Sequence, residues 1–126
     1  MKFTDLTTLG APLEGGTFAG ITTKPDGTHV AVVLLPERGE YMNYDQAVAW
    51  AEEQGAQLPT RPVAALLFAN IKSLLQPEWH WCQETFDASF AWVCYFSDGN
   101  QLYGHKSFEG SAVAVRLIPI TGGDTQ

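Results

Sequence analysis

Cysteine, positive charge and long hydrophobic runs are all scarce in this chain. Two cysteines in 126 residues, Cys82 and Cys94, are too few for the disulfide framework of a small secreted domain. Both fall in β-prone stretches, so two buried thiols are the expected state, and a bridge between neighbouring strands is the alternative. Lysine and arginine number 7 against 14 acids, which leaves a net charge of −7. The seven (Lys2, Lys24, Arg38, Arg61, Lys72, Lys106 and Arg116) form no run, so nucleic acid and anionic membranes are not expected partners. No segment approaches the ~20 apolar residues of a membrane span. Met1-Lys2-Phe3-Thr4-Asp5 does not open a signal peptide, so the expectation is a cytoplasmic chain or one assembled into a larger particle.

Catalytic signatures are missing too. There is no Gly-x-Ser-x-Gly elbow, no P-loop and no dinucleotide-binding fingerprint. Of the three histidines, His80 stands two residues from Cys82, which places both on one strand face at ~6–7 Å, too far for a Cys–His nucleophile pair. His80, Cys82 and His105 lack the spacing of a metal site. The expectation is a protein that is not an enzyme and holds no cofactor and no metal.

What is present is a pattern of strands and helices in a single domain over residues 17–120, with residues 1–16 as an irregular arm and 121–126 as a flexible tail. Thr17–Thr23 and Thr28–Leu35 flank the turn Lys24-Pro25-Asp26-Gly27 and predict a hairpin. The continuous run Val30–Leu35 predicts a central strand buried on both faces, broken at Pro36-Glu37-Arg38-Gly39. Asn43 and Gln46 form a capping box, so a helix begins there, with Ala47, Val48, Trp50 and Ala51 inward, and ends at Gly55. Thr60 caps a second helix with Pro62 in its first turn and Val63, Leu66, Leu67, Asn70, Ile71 and Leu74 along one face. Strands follow at residues 79–83, 91–96, 101–105 and 112–118, with Asp98-Gly99 at the centre of a hairpin turn. The fold class is α+β: two helices packed on a twisted antiparallel sheet, with a long, loop-rich second half.

Aromatic residues crowd into that second half. Strand alternation sets Trp79 and Trp81 opposite His80 and Cys82, and sets Trp92, Cys94 and Phe96 opposite Val93 and Tyr95. Aromatics on both faces exceed what one core can take. The surplus, mixed with amides and acids, has the composition of a binding surface. The residues expected to form it are Trp81, Glu84, Tyr95, Asp98, Asn100, Tyr103 and His105.

Particular segments sharpen this. Trp50-Ala51 in the first helix, Leu58-Pro59-Thr60-Arg61 opening the second, Trp79-His80-Trp81, Ala91-Trp92-Val93 running into Phe96-Ser97-Asp98-Gly99, and Val115-Arg116 occur in order. Across residues 28–118 the chain resembles the lectin-like domain named for the C-terminal domain of the Legionella collagen-like adhesin, a family with the C-type lectin fold, in its phage- and prophage-encoded version. The resemblance implies a ligand-facing surface in the aromatic stretch. The Glu-Pro-Asn, Gln-Pro-Asp and Trp-Asn-Asp tripeptides of calcium-dependent lectins do not occur, so binding is expected to be calcium-independent. The expected function is a binding module for a protein or glycan partner, with a homo-oligomer compatible. The alternatives are a structural virion component at a tail tip or fibre, or an intracellular inhibitor of a host defence protein.

Overall fold

The computed structural model describes residues 1–121. It is an α+β domain in which two helices cover a seven-stranded mixed sheet. The strands are β1 (Pro12–Leu13), β2 (Gly16–Thr23), β3 (His29–Met42), β4 (Trp79–Thr85), β5 (Phe90–Tyr95), β6 (Gln101–His105) and β7 (Gly110–Pro119). Helices α1 (Tyr44–Glu53) and α2 (Arg61–Ile71) fall between β3 and β4. The spatial order is β1-β2-β3-β7-β4-β5-β6.

Both helix starts follow local chemistry. Asn43 Oδ1 accepts from the Gln46 amide and the Gln46 side chain accepts from the Asn43 amide, each at 2.9 Å. Thr60 Oγ1 accepts from the Val63 amide. The helices lie on opposite faces of the sheet. Val63, Leu67 and Ile71 of α2 pack on Val32, Leu34, Cys82, Cys94, Phe96, Val113 and Val115. Tyr44, Ala47 and Ala51 of α1 pack on Val33, Leu35, Trp81, Val93, Ala112 and Ala114. Strand β3 therefore lies between two apolar layers, which is why every residue from Val30 to Leu35 is buried. Leu74, expected on the inner face of the second helix, lies past its end in a 3-10 turn and is exposed. Asn70 reaches β2 by donating to the Ala19 carbonyl at 2.8 Å.

Four expectations need correction. The sheet is not wholly antiparallel: β7 is inserted between β3 and β4 and meets β4 in parallel at His80–Ser111. The direction of β7 is set by its long antiparallel register with β3, a long-range pairing that no local pattern encodes. Strand β3 does not break at Pro36-Glu37-Arg38-Gly39. It continues to Met42 with a register shift between Leu34 and Arg38, where the Arg38 guanidinium donates to the carbonyls of Leu35, Pro36 and Glu37. The second half is strand joined by tight turns, not loop. The N-terminal arm is packed: Met1, Leu6 and Leu13 lie on Phe18, Ala31 and Ile120, and the Thr121 amide donates to the Met1 carbonyl at 2.7 Å. The expected tail over 121–126 lies, from residue 122 on, outside the described residues.

Candidate functional site

Beyond the C-terminal limb of the core, β5 and β6 extend as a hairpin whose α2-side face is not covered by a helix along its full length. Alternation and register decide what stands there. Trp92 pairs with Tyr103 and Phe90 with His105, so all four side chains project on the same side. Phe86, from the β4–β5 turn, stacks on Tyr103 with ring centroids 4.1 Å apart and planes 4° from parallel. Phe90 and Trp92 meet Tyr103 edge-on, His105 meets Phe90 edge-on, and Phe108 leans on His105. Three members of the set remain about half exposed: Phe86 at 51%, Tyr103 at 49% and Phe108 at 58%. Phe86 and Tyr103 form one exposed apolar pair on this face, while Phe108 lies past His105 on the Cβ side of Gly104.

A groove adjoins the patch where the first turn of α2 faces β5 and β6. Arg61, Pro62, Glu84, Trp92, Asn100 and Gln101 are among its walls, and it encloses about 820 Å³. Its geometry is held by one connected set of contacts. The Arg61 guanidinium lies 3.6 Å from the centroid of the Trp92 ring. Arg61 Nε donates to Gln101 Oε1 at 2.9 Å, and Gln101 Nε2 donates back to the Arg61 carbonyl at 2.8 Å. Both carboxylate oxygens of Glu84 accept from the Arg61 amide at 2.9 Å, so a β4 side chain caps the positive end of α2. The β5–β6 turn is pinned from the other side. Gly99, at φ +82°, sits against Phe68 of α2, where a Cβ would come within 2.9 Å of the ring.

The seven residues expected to form the surface divide by location. Glu84 and Asn100 line the groove, and Tyr103 and His105 belong to the adjoining aromatic patch. Asp98 is exposed in the turn, where its carboxylate accepts from the Asn100 amide and side chain. Tyr95 projects to the opposite, α1 side of the sheet with Trp79. Trp81 is a correction. It is fully buried, its ring meets Tyr44 and Trp79 edge-on, and its Nε1 donates to the Met42 carbonyl at 2.9 Å. A tryptophan that is both enclosed and satisfied is a core residue.

Arg61, Trp92, Gln101 and Phe86 are central to the geometry and were not among the expected site residues. One signal in the sequence points to Arg61: Leu-Pro-Thr-Arg places an arginine at the start of a helix. A turn centred on Asp98-Gly99 would set Trp92 across from His105, and it is the longer loop closed by the Tyr95–Asn100 bond that sets it across from Tyr103.

Burial pushes both thiols up, Cys82 strongly, and both are free cysteines on the α2 side of the sheet. Burial holds His80 below the ordinary histidine value, and its Nδ1 donates to the Glu78 carbonyl at 2.9 Å. Among the described residues, no group of three or more histidine, cysteine or acidic side chains converges as a metal site. No described helix is long and apolar enough to cross a membrane. No protein-family model and no curated protein matches the chain.

Proposed function

We propose that the chain is a non-enzymatic, calcium-independent binding module of C-type-lectin-like fold, whose contact surface is the α2-side face of β5 and β6 with the groove beside it. The observation that carries this reading is the half-exposed stack of Phe86 on Tyr103, edged by the Arg61–Trp92 pair. Tyrosine, tryptophan and arginine held rigidly at low entropic cost are the residue types that dominate binding energy at protein interfaces.

A protein partner suits the surface better than a glycan. Sugar stacking needs an open tryptophan or tyrosine face, whereas Arg61 covers a face of Trp92 and Phe86 covers a face of Tyr103. The resemblance noted above adds a phage or prophage origin, and with it an alternative role as a virion component or as an inhibitor of a host defence protein.

The test is capture of partners from host lysate and from purified virions on the immobilised chain, alongside a glycan array. Tyr103→Ala and His105→Ala are expected to lose the captured partner while the Tm stays within a few degrees of the parent. A collapse of the Tm in those variants would make the patch structural and end the reading. Retention by glycans alone would reverse the preference for protein.

A further inference from the structure

The two edges of the sheet are unequal. One is β1, two residues long and containing Pro12. The other is β6, which pairs with β5 on one side only. Exposed edge strands of natural proteins are normally blunted by proline, by charge or by a bulge, because their unpaired N–H and C=O groups template further strands. Strand β6 reads Gln101-Leu102-Tyr103-Gly104-His105, has no proline and no lysine or acid, and keeps an unbroken register with β5.

The direction of its backbone groups follows from the bonds to β5. The Tyr95 amide donates to the Asn100 carbonyl at 2.8 Å and the Lys106 amide donates to the Ser89 carbonyl at 2.9 Å. Hydrogen-bonded pairs alternate along an antiparallel ladder, so Leu102 and Gly104 also bond inward to Ala91 and Val93's strand. Gln101, Tyr103 and His105 therefore aim their N–H and C=O groups out of the sheet. The His105 carbonyl takes a turn bond from the Phe108 amide at 3.0 Å and retains its second lone pair.

We propose that this edge pairs with β6 of a second copy of the chain, antiparallel, about a two-fold axis at Tyr103. The strand is complementary to itself in that register. Tyr103 meets its own copy in a hydrogen-bonded pair, Gln101 meets His105 of the second copy, and Leu102 meets Gly104, beside which the Phe108 ring lies. Continuing outward, Lys106 comes opposite Asn100. Two chains of charge −7 repel overall, yet this register sets no carboxylate of the strand or its turn against another. Tyr103 and Phe86 of both copies then share one side of a continuous sheet, so the two aromatic patches join.

The test uses the full chain in light scattering with size exclusion over a wide concentration series, with cysteine trapping. In a hydrogen-bonded antiparallel pair the Cα atoms lie about 5.5 Å apart, inside the roughly 4.4–6.8 Å range of a disulfide. Tyr103→Cys is expected to oxidise to a covalent dimer. Leu102→Cys is expected to stay monomeric under the same oxidant, because the two copies of that residue are offset by about 6.8 Å along the strands. Native Cys82 and Cys94 are buried and leave the readout clean. Tyr103→Pro removes an outward N–H together with the ring, and Tyr103→Ala removes the ring alone; the first is expected to abolish the dimer with an unchanged far-ultraviolet spectrum and the second to keep it. A monomer at every concentration, equal trapping at both positions, or a dimer that survives Tyr103→Pro would overturn the proposal. So would a monomeric chain that takes an extended peptide of another protein on this edge.

Discussion

The guanidinium of Arg61 lies over the indole of Trp92, 3.6 Å from the ring centroid, and joins the first turn of α2 to the outer hairpin of the sheet. Neither residue is adjacent to the other in sequence, and no other arginine in the described residues sits on an aromatic ring. Both residues line the groove, and Tyr103 meets the Trp92 ring edge-on.

Replacing Arg61 removes that contact together with the Nε bond to Gln101. Arg61→Ala is expected to cost about 1–3 kcal/mol in urea unfolding, from a partly desolvated cation–π contact plus one hydrogen bond. Arg61→Lys should recover little of it, because an ammonium cannot lie flat on the ring while donating to Gln101. Near-ultraviolet circular dichroism should report a changed Trp92 environment in both variants.

Trp81 and Tyr103 were expected on the same surface and behave oppositely in the fold. Trp81→Ala empties a fully buried site and leaves the Met42 carbonyl unpaired, so a loss of about 3–5 kcal/mol is expected. Tyr103→Ala, at a half-exposed position, is expected to cost on the order of 1 kcal/mol, mostly the stacking with Phe86. Denaturant midpoints of the two variants side by side check the contrast. Equal costs would contradict the assignment of one to the core and the other to the surface.

His80 is buried, and burial holds its pKa below the ordinary 6.5. Above that pH both the folded and the unfolded chains carry a neutral ring, and stability does not depend on it. As pH falls below 6.5 the unfolded chain takes up the proton first, so this group's stability is lost as pH drops toward the folded value. Urea midpoints measured from pH 8 down to pH 5 should therefore fall at the acid end, and His80→Gln should flatten that fall.

The thiols of Cys82 and Cys94 are buried, free and pushed up in pKa by that burial, with Cys82 the more affected. A thiolate is the reactive species, so neither should react with an aromatic disulfide reagent in the native state. Both should titrate once the chain is unfolded in denaturant. Rapid labelling of one thiol in the native protein would show that the strand carrying it opens locally.

Much of the fold was legible because its signals are local. The capping box at Asn43 and Gln46, the N-cap at Thr60 and the buried run Val30–Leu35 each depend on a few consecutive residues, and each stands in the structure as the sequence implies. The Asp98-Gly99 turn does not: Tyr95 and Asn100 close a longer loop, in which Asp98 and Gly99 are the last two residues. Alternation likewise sorted Trp79 from His80 and Trp92 from Val93 onto opposite faces. The continuation of β3 past Pro36 was not legible, because the carbonyls there are satisfied by the Arg38 side chain as well as by a neighbouring strand.

By itself, the sequence determined the α+β character, the helix starts and the parity of Trp79, Trp81, Trp92, Tyr95 and Phe96, since periodicity and capping act within a turn or a strand. Tertiary structure alone decided which faces met water. The two helices went to opposite sides of the sheet, β7 entered between β3 and β4, and the hairpin of β5 and β6 was left at an edge. Parity gave Trp81 and Tyr103 each a side, but α1 closes over the first, while the second, on the outermost strand, has only Phe86 and its strand neighbours upon it. Burial depends on what the rest of the chain brings to a face, and that is a long-range property.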